Sequence, residues 1–197
     1  AAAFPAFATL GYVQQPVPPT AHPYALAAAV PIDDTGVHDA DGVRMIRIGT
    51  TLFDHPVAQA QYGLANVASF DLTDDQRFLD RAIAQATRLV DTKVVSRDAW
   101  YFPYLFDFAL HGRASETLRA PWYSAMAQGL AVALFCRLYA VTHSSWWLTY
   151  AGYAFAALTH GPSSSAPWTT RVDSAGYLWF EEYPLLPPSR SDRTYNG

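Results

Sequence analysis

Apolar and polar positions recur at helical spacing over most of this chain. Residues 56–69, PVAQAQYGLANVAS, open on Pro56, which suits a first helical turn because an N–H there would go unbonded anyway. Thr73 with Gln76 forms a capping box ahead of RFLDRAIAQATRLVDTKV, where Phe78, Ala82, Ile83, Ala86, Leu89 and Val90 line one helical face. Residues 124–142, SAMAQGLAVALFCRLYAVT, are apolar nearly all round, which predicts a helix buried on both faces. Another helix is predicted over 145–159, SWWLTYAGYAFAALT, and Pro162 with the following serines ends the pattern.

Short β-hairpins are predicted on either side of the helices. PIDDTGVHDADGVRMIRIG reads as two strands around the Asp41-Gly42 turn. In WTTRVDSAGYLWFEEYP, two β-prone runs flank Asp173-Ser174-Ala175-Gly176, and the second delivers Glu181, Glu182 and Tyr183. Six prolines in residues 1–31 predict an irregular arm lying over the body. No repeat of fixed period emerges, and successive helices joined by loops predict α-hairpins. The fold class is mainly α with short β-hairpins.

Composition narrows the function classes. At 197 residues, 51% hydrophobic and 15% charged, the chain has the core-forming capacity of one folded domain rather than a disordered segment. Its aromatic content, 15% with 6 Trp and 12 Tyr, fits an aromatic-lined cleft and a large aromatic core equally well. A formal charge of −4 provides no global field for nucleic acid, so a polyanionic ligand would need local arginines. Cys136, the single cysteine, excludes an intrachain disulfide and a cysteine-based zinc site, and its apolar surroundings predict an inert core thiol. Ser124, Gln128 and Arg137 interrupt the longest apolar run, so no membrane span is expected. The first 31 residues carry neither a starting Met nor an Asp, Glu, Lys or Arg, which describes a processed or tagged start rather than an intact signal peptide. The compartment stays open, with an exported or extracellular setting favoured.

Several chemistries lack their residues. The six histidines are scattered without an HExxH or an i, i+4 pair, so no metal is expected. No GxSxG elbow supports a serine nucleophile, and no glycine-rich phosphate loop implies a nucleotide cofactor. The stretch LWFEEYPLLPP is unusual in setting two adjacent carboxylates among aromatics. Strand alternation sends Glu181 and Glu182 to opposite faces, so one can meet solvent or an arginine while the other meets a cleft. Desolvation raises a carboxyl pKa and a nearby cation lowers it, which together can tune a base. Two surface carboxylates at a strand end remain the alternative. Trp122, Tyr123, Ser124 and Gln128 cluster at a predicted helix N-terminus, where free N–H groups favour an anion. His111, Arg113 and Arg119 just before them supply the local basic patch that an anionic ligand of an acidic protein would need.

At these residues the chain resembles a known family. QAQYGLANVA, LHGRASETLRAPWYSAMAQGLAVALFCRLYAVT and YLWFEEYPLLPP with the closing YNG are similar to the C-terminal helical domain of heparosan D-glucuronyl C5-epimerases. The resemblance covers residues 44–197 and leaves 1–43 as a Pro/Ala-rich arm with the start of a hairpin. It implies a partial (α/α) toroid-like domain and epimerisation of D-glucuronate to L-iduronate within an acidic polysaccharide, without a cofactor. It implies Glu182 and Tyr183 at the reacting sugar, Tyr123, Ser124 and Gln128 along the cleft, Gln61 and Tyr62 on an earlier wall and Asn196 on a later one. Family members of animal type insert a β-rich domain after the QYGL block, where helix follows here. They also continue past the Asn-Gly pair with more helices and a second tyrosine-rich catalytic segment, where the opposite-face proton carrier is expected. A homodimer, or association with that segment, would cover the flank its absence exposes. A uronate lyase and a non-catalytic glycan-binding or assembly subunit are the alternative functions.

Overall fold

The protein is described by a computed structural model covering residues 18, 21, 23–185 and 187. Most of the proline-rich arm therefore lies outside the described residues. Residues 25–31 run without helix or strand, and the Val30 N–H donates to Ser69 Oγ at 3.0 Å.

Helix α1, Pro56–Thr73, begins as expected at Pro56 and is capped by His55, whose Nδ1 accepts from the Ala58 N–H at 3.2 Å. It ends at Asp74, held in the left-handed region at φ 57. The expected Thr73–Gln76 capping box does not form: Thr73 completes α1, its hydroxyl donating to the Ser69 carbonyl at 2.7 Å. Asp75 instead caps α2, Gln76–Thr92, accepting from the Arg77 N–H at 3.0 Å. An aspartate one residue before the helix reaches its second N–H with less chain than a threonine three residues back. Helices α3, Ala125–Thr142, and α4, Ser145–Ala156, follow the predicted spans, a short 3-10 turn finishing the second.

Two-residue links make α1–α2 and α3–α4 successive α-hairpins, and α1 packs against α3 between them. Leu64 and Val67 of α1, Ala82, Ala86 and Leu89 of α2, and Leu130, Leu134, Phe135 and Leu138 of α3 fill this core. Gly63 of the QYGL block sits where a Cβ would lie 2.7 Å from Leu134 Cδ2, so the glycine lets α1 and α3 approach. Burial of α3 on both faces is overturned: Gly129, Cys136 and Ala140 form an exposed stripe. Cys136 is accordingly a surface thiol rather than a core one. Flanked by α1 and α4, a cylinder still turns one side outward, and small apolar residues occupy it. By length and composition α3 could also cross a membrane, the expected interruptions notwithstanding, although its larger side chains pack in this core.

Among the described residues four antiparallel strand pairs frame the helices. The Asp41-Gly42 turn forms, with Gly42 at φ 76, but carries only the bridge between His38 and Arg44. The strands proper come one turn later, β1, Met45–Ile48, with β2, Thr51–Asp54, around Gly49 at φ 60. The pair β3, Val94–Ser96, with β4, Ala99–Tyr101, turns through Arg97 and Asp98, both at positive φ. Phe108–Ala109 (β5) pairs with Thr117–Leu118 (β6). The predicted last hairpin is present as β7, Thr170–Val172, and β8, Leu178–Phe180, with Asp173 Oδ1 accepting from the Ala175 and Tyr177 N–H groups.

Candidate functional site

The last hairpin brings the two carboxylates to the start of α3. The Glu181 carbonyl accepts from the Ala125 N–H at 2.9 Å, and the Glu181 N–H donates to the Thr169 carbonyl at 2.8 Å. Two distant sequence blocks are thereby fastened backbone to backbone. Their side chains then diverge. Glu181 is 3% exposed and takes Arg171 Nε at 2.9 Å, whereas Glu182 borders a cavity of about 100 Å³.

That cavity combines aromatic walls with a few polar groups. Tyr104 and Trp122 stack at 3.8 Å, and Phe106 and Phe108 close the apolar side. The Trp122 indole N–H donates to the Phe106 carbonyl at 2.9 Å, which fixes the ring. His55, Ser124, Glu182 and Tyr183 are the polar side chains that line the cavity, together with Tyr104. Tyr104 accepts from the Val57 N–H, and its burial raises the phenol pKa. Partial burial, a hydrogen bond to Glu182 and the charge of that carboxylate push Tyr183 up to about 12. At neutral pH the Tyr183 phenol is therefore a proton donor. Burial lowers the pKa of His55, so this imidazole is neutral as well.

Trp122 also borders a larger open groove of about 570 Å³ with Arg119, Tyr123, the loop 163–168, Pro184 and Leu185. Arg97 anchors that loop by donating to the Pro167 carbonyl and to the Tyr101 hydroxyl, the latter 2.7 Å from His160 Nδ1. Tyr123 lies edge-on to Tyr101 at 5.5 Å.

The expected basic patch is divided among internal carboxylates. His111 and Arg113 both reach Glu116, at 3.0 and 3.3 Å, and border neither cavity nor groove. Arg119 sits at the groove and pairs with Asp107. Gln61 and Tyr62 lie apart from both, on a surface hollow beside Asp34 and Arg44, with the Arg44 guanidinium 4.7 Å from the Tyr62 ring centre. Asn196 lies outside the described residues. Among the described residues no group of three His, Cys, Asp or Glu side chains is placed to hold a metal.

Gln128 does not line a cleft. It is fully buried, accepting from the Phe102 N–H at 3.1 Å and donating to the Trp100 and Ala154 carbonyls at 2.6 and 3.2 Å. One amide thus joins α3 to β4 and α4. Gln128→Met keeps the volume but strands the Phe102 N–H, costing about 1–3 kcal/mol. Urea unfolding should show this loss; an unchanged midpoint would show that the three bonds do not hold these elements together.

His55 and Tyr104 are the polar site-lining residues that pattern reasoning missed, beside the apolar Ile46, Val57, Phe106 and Phe108. Pro56 signals the start of a helix, but histidine is not a preferred cap residue, so neither role of His55 is announced locally. Tyr104 belongs to a stretch whose pairing with Trp122 is a single long-range bridge.

Among solved structures the chain is similar to the glycoside hydrolase family 76 (mannosidase) Bt3792 from Bacteroides thetaiotaomicron VPI-5482, with a TM-score of 0.47 and 13% identity. The likeness covers 73% of this chain and 37% of that one, and at such distance it carries no argument. The family model described as D-glucuronyl C5-epimerase C-terminus matches residues 96–197, which include the WYSAMAQG and EEYP blocks on either side of the cavity. With just over half of its length matched, the chain belongs to the D-glucuronyl C5-epimerase C-terminus family.

Proposed function

We propose that this chain carries part of an epimerase site that inverts C5 of D-glucuronate units to L-iduronate in a heparosan-like polysaccharide. The observation that supports this reading is the meeting of Glu182, Tyr183, Trp122 and Ser124 around one cavity. The proton on C5 lies next to a carboxylate, so its removal leaves charge that spreads onto the carboxylate oxygens. Glu182 is the base this chain supplies. Tyr183, a phenol that keeps its proton at neutral pH, is the acid it supplies. The open groove beyond Trp122 accommodates neighbouring sugars against Trp122 and Tyr123, with Arg119 at its edge. The two α-hairpins are consecutive pairs of an (α/α) toroid-like domain in this reading.

Incubating the complete polypeptide with heparosan in deuterated water tests it. NMR should show deuterium entering C5 and iduronate accumulating. An unsaturated product absorbing in the ultraviolet would instead indicate a lyase, which shares the abstraction but expels the 4-O substituent. Binding without exchange would leave a glycan-binding subunit.

A further inference from the structure

Two helix N-termini converge on the cavity that holds Glu182. The N-caps of α1 and α3, His55 and Ser124, both line it, and each helix runs 18 residues. The positive ends of both helix dipoles therefore act on one small volume, where an anion is favoured. A second observation is independent of the helices. Ser124 is 1% exposed, makes no side-chain cap bond, and its Oγ has no hydrogen-bond partner among the described residues. Buried hydroxyls are normally bonded, so this one is poised for a group that enters the cavity.

His55 provides the complementary donor. Because its Nδ1 accepts from the Ala58 N–H, the proton of the neutral ring resides on Nε2. Its ring is held edge-on to Tyr104 at 5.1 Å. A neutral imidazole beside a helix N-terminus can polarise a carbonyl oxygen without surrendering its proton. The cavity, about 100 Å³, has room for roughly three waters, which suits a carboxylate and the carbon that bears it. His111 and Arg113, the basic groups just upstream of the WYSAMAQG block, are engaged with Glu116 outside it.

We infer that His55 Nε2–H and Ser124 Oγ–H form a donor pair that holds the carboxylate of the reacting uronate as charge develops on it. This rests on the epimerase reading above. Glu182 takes the C5 proton, and the electron pair of that C–H bond moves into the bond between C5 and the carboxyl carbon. The carboxylate becomes an enediolate bearing a further negative charge. Both donors hydrogen-bond to its oxygens and keep their own protons. An acid of the complete polypeptide on the opposite ring face then gives a proton to C5. The electron pair returns to C5 and the carboxylate is restored. Glu182 releases its proton to water while that acid takes one up. The pair thus binds the intermediate more tightly than the substrate, which is what lowers the barrier.

The test uses the complete polypeptide and a heparosan oligosaccharide, with C5 exchange as the rate. His55→Asn retains a side-chain oxygen that accepts from the Ala58 N–H, since asparagine is among the best helix caps, but withdraws the imidazole donor. Ser124→Ala removes the hydroxyl without breaking a cap bond. Each variant should lose about 10²–10³-fold in kcat, the usual effect of removing one oxyanion donor, with KM and melting temperature nearly unchanged. Wild-type kcat in both variants, or a loss confined to KM, would overturn the inference. If His55→Asn fails to fold, Ser124→Ala decides alone. Glu182→Gln, assayed alongside, separates the two levels. Absence of C5 exchange in the wild-type polypeptide overturns the epimerase reading itself, and wild-type exchange in Glu182→Gln overturns the part given to Glu182. An inactive Glu182→Gln beside fully active His55→Asn and Ser124→Ala overturns only the donor pair.

Discussion

Glu182→Gln should abolish C5 exchange in the complete polypeptide and leave its thermal unfolding in place. Glutamine keeps the side chain's volume and an acceptor for the Tyr183 hydroxyl, but it takes up no proton at neutral pH. A positioned acid or base contributes roughly 10² to 10⁴ in rate, so the residual signal should fall at least that far. The partner bond supplies a further readout. Part of the raised Tyr183 pKa comes from the Glu182 charge, so neutralising position 182 should bring the phenol titration down from about 12. Spectrophotometric titration of tyrosine in the variant checks this without substrate. A variant exchanging at the wild-type rate would move the base to another residue.

The neighbouring glutamate should behave in the opposite way. Glu181 and Arg171 are nearly inaccessible, with side chains 4% and 11% exposed and a 2.9 Å contact. Arg171→Ala leaves a carboxylate buried without this guanidinium, which costs about 3–5 kcal/mol. For a chain of this size that corresponds to a drop of roughly 10 °C in melting temperature. Combining Arg171→Met with Glu181→Leu should recover most of the loss, because a packed apolar pair avoids the desolvation that ions suffer. A combined variant as unstable as Arg171→Ala would show that the pair contributes net attraction beyond compensating its own burial. Any fall in exchange should follow the folded fraction, since Glu181 does not line the cavity.

How far these positions can be read from sequence depends on how local their cause is. Helical periodicity located α1 to α4, and the run before and after Asp173 located the last hairpin, because the pattern and the element occupy the same residues. Glu181 and Glu182 follow the end of β8, so their divergence is not strand alternation. Caps were harder: Thr73 and Asp75 both suit the position, and one residue of chain geometry decides between them. The β3–β4 turn places Arg97 and Asp98 at positive φ without glycine or asparagine to announce it. Gln128 was legible as a polar residue near a helix start but not as a core tie, since its three partners lie on other elements. His55 has the same history. Pro56 beside it marks where the helix begins, whereas its place in the cavity with Glu182 depends on how β2 delivers the chain into α1.

The backbone bond between Ala125 and Glu181 also constrains the order in which the molecule is built. Closing a long stretch of chain costs entropy that grows with its length, and contacts remote in sequence are made late. The α-hairpins rely on near neighbours and can form before the last hairpin arrives. The cavity cannot, because it draws on residue 55, residues 104–108, residues 122–124 and residues 182–183 together. A chain halted at its helical stage would hold His55, Ser124 and Glu182 with no cavity between them. The site is then assembled at the end of folding, and a newly made copy lacks it until its long-range topology is complete.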